Sequence, residues 1–217
     1  MFARDGYTTI FVTIIFAIIV SGVARYLEPH WTAYILYTAM AVLVGFILYF
    51  FRDPDREVTP GDNLVISPAD GNVVQIKDVE EDRYIQGPAK QISIFLSPMD
   101  VHVNRVPMTG TVEYLEYEPG IFLVAYDHRA SELNERADFG VKHASGTKIF
   151  FRQITGFLAR RIVYHMDVGD EITAGDRFGM MKFGSRMDIL VPVDVEVNVS
   201  EGDKAVAGET ILATINA

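Results

Sequence analysis

Gly169-Asp-Glu-Ile-Thr-Ala-Gly-Asp176 recurs 33 residues later as Gly202-Asp-Lys-Ala-Val-Ala-Gly-Glu209. Both copies follow the pattern Gly-Asp-x-x-x-Ala-Gly-acidic. Glycine takes positive φ without steric cost, so each copy reads as tight turns between apolar, strand-like flanks. Upstream, Val73–Ile76, Ile92–Leu96, Thr111–Leu115 and Lys148–Phe151 are short runs rich in β-branched and aromatic residues, separated by Gly, Pro and Asp. Such punctuation predicts strands and turns. A helix is expected over Ser131–Arg136, and Gly156–Val163 reads equally as helix or strand. From Arg52 onward the chain is therefore expected to be β-rich.

The N-terminal region has a different period. Gly6–Ala24 is 19 residues without a charge, and Trp31–Phe51 is 21 more. At about 1.5 Å per residue, each is long enough to cross a hydrocarbon core of about 30 Å. Tyr26, Trp31, Tyr34 and Tyr49 lie towards the ends, where amphipathic rings favour the interface. A signal peptide would be followed by a cleavage site and a soluble stretch, whereas here a second apolar run follows. The expectation is a transmembrane hairpin over residues 1–51, then a β-rich domain over 52–217. The fold class is α+β, predominantly β. A hairpin returns to its starting side, and Arg52 and Arg56 at its exit place the domain on the cytoplasmic side, although Asp53 and Asp55 accompany them.

Composition excludes several chemistries. The chain has no cysteine, which rules out disulfides, thiolate metal sites and a cysteine nucleophile. Its five histidines are scattered without metal-binding spacing, so no metal is expected. Net charge is −10, with 17 basic and 27 acidic residues after Phe51. Such a domain repels nucleic acid and has no bulk attraction to anionic lipid.

Within Arg177-Phe-Gly-Met-Met-Lys-Phe-Gly-Ser-Arg-Met-Asp-Ile189, the pair Gly184-Ser185 lies between strand-like runs. Most such pairs are only turns. A serine after glycine is nevertheless placed to attack the preceding carbonyl, because glycine adds no obstruction and tolerates strained backbone. Its hydroxyl is a weak nucleophile and needs a base. The repeat also resembles the turns of lipoyl and biotinyl carrier domains and related barrel-sandwich hybrids. Lys182 after Met180-Met181 invites that comparison.

Six stretches carry a second resemblance. They are Phe51-Arg-Asp-Pro54, Ser67-Pro-Ala-Asp-Gly71, Ser97-Pro-Met-Asp-Val-His-Val-Asn-Arg105, Asn134-Glu-Arg136, Gly156-Phe-Leu-Ala-Arg-Arg-Ile-Val163 and Phe183-Gly-Ser-Arg186. In this order, after two membrane segments, they resemble the short, archaeal-type phosphatidylserine decarboxylases. The resemblance implies that Ser185 attacks the Gly184 carbonyl and that the chain divides into 1–184 and 185–217, held as a heterodimer. Ser185 then becomes a pyruvoyl group, the built-in cofactor. Its carbonyl forms a Schiff base with the amine of a membrane phospholipid and acts as an electron sink for decarboxylation. The lipid is phosphatidylserine or an ether-linked equivalent, and a homo-oligomer is admissible.

By the same resemblance, Asp70 orients the imidazole of His102, which serves as the base. Taken alone, Asp70 is an ordinary turn aspartate, and His102 is as readily a polar residue on the wet face of a strand Val101–Val103. Many bacterial relatives carry a second histidine where this chain has Arg105. His102 is therefore assigned both cleavage and decarboxylation, with His143 and His165 as the alternatives that folding would have to supply. Asp100 is read as structural. Arg105, Arg160 and Arg161 are candidates for a phosphate or carboxylate, and equally for surface ion pairs. Asn134-Glu135-Arg136 matches without a derivable role. Two rival readings remain, a non-enzymatic membrane adaptor and a serine hydrolase acting on an external peptide, and both require an unbroken chain.

Overall fold

The computed structural model describes residues 1–127, 129–157, 161–182 and 184–215. The chain divides into two compact units, Met1–Asp55 and Arg56–Ala217.

The first unit holds helices α1 (Tyr7–Ala24) and α2 (Trp31–Phe50), which pack against each other. Both are apolar around their whole circumference, and Phe11, Phe16, Ile18, Trp31, Tyr34 and Val42 are exposed. Both helices are long and apolar enough to cross a membrane. Two of their hydroxyls are satisfied within the helix: Thr13 Oγ1 donates to the Thr9 carbonyl and Thr38 Oγ1 to the Tyr34 carbonyl, at 2.8 and 2.9 Å. Internal satisfaction of this kind is what a medium without water demands.

The second unit is built almost entirely of antiparallel strands. In chain order they are β1 (Leu64–Ile66), β2 (Gly71–Glu81), β3 (Gly87–Leu96), β4 (Val103–Arg105) and β5 (Gly110–Glu118). After the short helix α3 (Ala130–Leu133) come β6 (Arg136–Lys142), β7 (Lys148–Ile154), β8 (Ile162–Tyr164), β9 (Glu171–Ile172) and β10 (Arg177–Met181). The last are β11 (Ser185–Pro192), β12 (Glu196–Val197), β13 (Lys204–Ala205) and β14 (Ile211–Thr214). An eight-stranded sheet runs β13-β2-β3-β11-β7-β6-β5-β9, and two three-stranded sheets run β1-β14-β12 and β4-β10-β8.

The repeat behaves as its sequence demands. Gly169, Gly175, Gly202 and Gly208 all have positive φ, between 81° and 99°. In both copies the aspartate after the first glycine closes its turn from two sides. The Asp170 N–H donates to the Asp167 carbonyl, and its carboxylate accepts the Asp167 N–H. Asp203 does the same with Ser200.

All four sequence-expected strands lie within β2, β3, β5 and β7. The expected helix over Ser131–Arg136 is shorter and starts earlier, because Asn134 turns to extended backbone and Arg136 begins β6. The cause is the Asn134 amide, which donates to the Leu123 and Thr155 carbonyls and accepts the Leu123 N–H. Three bonds to neighbouring chain segments outweigh another helical turn. Of Gly156–Val163, residues 158–160 lie outside the described residues, and Ile162–Val163 fall in β8.

The core contains a cluster of rings. Phe139 stacks on Phe151 at 5.1 Å and meets Tyr164 and Phe178 edge-on at 5.3 and 5.5 Å. Phe139→Ala empties this cluster. It is expected to cost about 3–5 kcal/mol, read as a lowered melting temperature of detergent-solubilised protein.

Candidate active site

Ser185 is the first residue of β11, a strand hydrogen-bonded on both edges, to β3 and to β7. It pairs with Leu96, the last residue of β3, and is fully buried. Its Oγ finds no hydrogen-bond partner among the described residues. A buried hydroxyl without a partner is costly, so its persistence points to chemistry rather than to stability. Gly184, immediately before it, has φ +72°, a conformation L side chains rarely adopt, although a Cβ there would meet open space. Glycine is needed at 184 for its backbone, not for room.

His102 is also fully buried, just before β4, and not on the wet face of a strand. Its Nδ1 lies 3.0 Å from the Asp100 carbonyl oxygen. A carbonyl only accepts, so Nδ1 carries the proton and Nε2 holds the lone pair. Nε2 in turn accepts the Gly184 N–H at 3.3 Å. A basic nitrogen thus sits against the residue that supplies the carbonyl of the Gly184–Ser185 peptide bond. Asp100 is placed by its own turn: its carboxylate accepts the Ser97 N–H at 2.8 Å, and its N–H donates to the Ser97 carbonyl at 2.9 Å.

Asp70 is held elsewhere. Its Oδ2 lies 2.6 Å from Arg56 Nη2, and its Oδ1 accepts the Ala207 N–H at 2.8 Å. The imidazole therefore has the Asp100 carbonyl as its partner at Nδ1, where the resemblance implies the Asp70 carboxylate. His143 bonds Ser145 Oγ in the turn between β6 and β7, and His165 is exposed.

The three arginines separate. Arg105 is buried and donates to the Gly175 carbonyl at 2.8 Å. Arg161 is exposed, and its carbonyl lies 3.4 Å from the Lys182 N–H, two residues before Gly184. Arg160 lies outside the described residues.

Other contacts at the site come from residues to which local patterning gives no role. A Cβ built on Gly156 would lie 2.4 Å from the Gly184 carbonyl oxygen. Only glycine lets the backbone approach the Gly184 carbonyl this closely. On the opposite face of β11 from the core, Arg186 Nε donates to Asp188 at 2.6 Å, Arg186 Nη2 to Ser93 Oγ at 2.7 Å, and Ser131 Oγ to Asp188 at 2.7 Å. Next to this pair, burial pushes the Asp138 carboxyl up, although the guanidinium groups of Arg152, Arg136 and Arg83 pull it down. This charged layer fixes β11 from the side away from the core. Asn134 and Arg136 belong to the same support, since Asn134 ties down Leu123 and Thr155, and Arg136 bonds the Glu132 carbonyl and Asp138.

Fold and site together define a β-rich domain with an orphaned serine at a Gly–Ser bond and a neutral-tautomer histidine against that bond. Comparison with known proteins supplies the rest. A family model described as phosphatidylserine decarboxylase matches residues 43–213. A phosphatidylserine decarboxylase proenzyme from Salinibacter ruber is 53% identical over 175 residues, 79% of this chain and 77% of that protein. Proenzymes of the same name from Prosthecochloris aestuarii and Symbiobacterium thermophilum are each 42% identical. They cover 99% and 98% of this chain, and 98% and 95% of their own lengths. The chain belongs to the phosphatidylserine decarboxylase family. The adaptor reading built on Lys182 has no support among these relatives.

Proposed function

We propose that the chain cuts itself between Gly184 and Ser185 and then decarboxylates phosphatidylserine to phosphatidylethanolamine as a pyruvoyl-dependent carboxy-lyase. The observation that carries the proposal is the buried, unpartnered Ser185 Oγ directly after a glycine whose N–H rests on His102 Nε2. In the proposed cut, His102 takes the Oγ proton as Oγ attacks the Gly184 carbonyl carbon. The new C–O bond replaces the C–N bond, and the proton passes to the Ser185 nitrogen. Loss of the Ser185 Cα proton then breaks the Cβ–Oγ bond and frees the Gly184 carboxylate. Water finally displaces the nitrogen as ammonia and leaves a ketone at residue 185. The site fits such a group, since the freed N-terminus begins a strand held on both sides. When present, the ketone supplies an electron sink for a substrate amine that loses carbon dioxide.

The proposed pieces, 1–184 and 185–217, have reason to stay joined. The smaller one keeps β11 between β3 and β7, β13 on β2, and β14 on β1. Asp70 adds its bond to Ala207, and Arg56 lies 3.7 Å from Glu209. Asp70 and Arg56 thus enter the proposal as positioning residues that anchor the C-terminal piece. Arg161 is the proposed contact for the headgroup phosphate or carboxylate. Residues 1–51 are proposed as an integral membrane hairpin carrying residues 52–217 on the cytoplasmic face.

Intact mass is the first test. Mature protein is expected as pieces of 184 and 33 residues, the smaller with a blocked, carbonyl-reactive N-terminus. Incubation with phosphatidylserine vesicles is expected to release carbon dioxide, and pretreatment with borohydride to abolish the release. An unbroken chain active on the lipid would overturn the proposal.

Gly156 provides a finer test. An alanine there drives its methyl against the Gly184 oxygen and displaces the carbonyl from its attacker. Gly156→Ala is expected to slow cutting by about 100-fold, followed as the disappearance of precursor on a denaturing gel.

A further inference from the structure

Beside Gly184 lies a pocket of about 170 Å³ lined by Phe95, Pro98, Val124, Ala125, Tyr126 and Phe157, with Gly184 itself closing one side. Among the described residues, every lining side chain is apolar apart from the Tyr126 hydroxyl. The pocket is open outward, and its rim is unusually exposed for such residues. Tyr126 is 67% exposed, Phe157 60% and Val124 39%, while Met99, next to Pro98, is 56% exposed. The rim is also ordered from below. Phe95, on β3, meets Tyr126 edge-on at 5.9 Å, and the Asn134 side chain holds the Leu123 backbone beneath it. Contiguous exposed apolar surface on a folded domain marks a binding surface.

We propose that this pocket receives the first segment of an acyl chain of the lipid substrate, with Met99, Tyr126 and Phe157 entering the lipid interface around it. The inference rests on the decarboxylase reading and extends it from the reacting headgroup to the rest of the molecule. A serine phospholipid joins a charged headgroup to two hydrocarbon chains through a few bonds. If the headgroup amine is to meet residue 185, the hydrocarbon end must lie close to residue 184, where the surface is apolar. Tyr126 suits that boundary, with an apolar ring and a hydroxyl that stays wet. A chain so held reaches the buried site without leaving the bilayer entirely. The acidic remainder of the domain offers lipid no comparable attraction.

The test compares two substrates on the full-length, self-cut protein in detergent micelles: dioleoyl phosphatidylserine and glycerophosphoserine, which has no chains. The readout is the ratio of kcat/KM for the first to that for the second. Tyr126→Ser and Phe157→Ser are each expected to lower this ratio at least about tenfold. Tyr126→Phe and Phe157→Leu, which keep the apolar surface, are expected to hold it within about twofold of wild type. Both serine positions are exposed, and completeness of self-cutting reports that each variant has folded. A ratio unchanged in the serine variants, or lowered equally in the apolar ones, would overturn the acyl-chain assignment while leaving the decarboxylase reading intact. Wild-type protein that is cut yet inactive on both substrates would overturn that reading and this assignment with it.

Discussion

Ser185→Ala is expected to remain a single chain of 24.3 kDa that releases no carbon dioxide from phosphatidylserine. The substitution removes one oxygen, and among the described residues that oxygen bonds to nothing. Deleting a buried polar group usually strands its partner at a cost of about 1–3 kcal/mol. Here there is no partner to strand, and the backbone pairing of residue 185 with Leu96 is untouched. The melting temperature should therefore equal or slightly exceed that of an uncut wild-type precursor. A folded, fully stable and uncut protein separates lost chemistry from lost structure. Two pieces on a denaturing gel from this variant would show that another group cuts the chain. Decarboxylation by the intact variant would show that no ketone at residue 185 is required.

The fold was legible where local rules fix the backbone. The glycine–aspartate repeat announced its turns because positive φ and aspartate capping leave few other residues suitable. The all-apolar helices announced themselves because only a membrane or the core of a much larger protein covers a helix that is apolar on every side. The Gly184–Ser185 pair was visible as a motif, but its burial was not, since that depends on β11 joining β3 and β7 from distant parts of the chain. His102 illustrates the same limit. Alternation around Val101 and Val103 left a wet face of a strand as open as a catalytic role, but the strand begins only at Val103 and the residue is fully buried. The support of the site was the least legible. Gly156 reads as an ordinary loop glycine until its backbone is seen against the Gly184 carbonyl. The Asp100 carbonyl has no side-chain signature at all. Asn134 sat inside a helix-forming run, and only its three long-range bonds explain why the helix stops. Arg105, in sequence a candidate for a phosphate or carboxylate and equally for a surface ion pair, is buried against the Gly175 carbonyl.

His102→Ala is expected to slow self-cutting by about 10²–10⁴-fold and to leave precursor as the main species after a time in which wild type is fully cut. The size follows from its role. A serine hydroxyl is almost wholly protonated at neutral pH, so the rate depends on a base held within reach during attack. Nε2 is the lone-pair nitrogen because Nδ1 is committed to the Asp100 carbonyl. Of the two alternatives offered by sequence, His143 is tied into a hairpin turn and His165 is exposed. His102→Gln separates the roles of the ring. Its amide can still face Asp100 or Gly184 but cannot take a proton at neutral pH, so it should cut as poorly as the alanine variant. Added imidazole is expected to restore part of the rate in His102→Ala, where the lost ring leaves space, and none in His102→Gln, where the amide fills it. Cutting at the wild-type rate by both variants would move the base elsewhere. Asp70 would then be the next group to examine, by freeing it from Arg56 with Arg56→Ala. That order of tests follows from the geometry: one nitrogen already touches the residue whose carbonyl must be attacked, whereas Asp70 is held by an arginine.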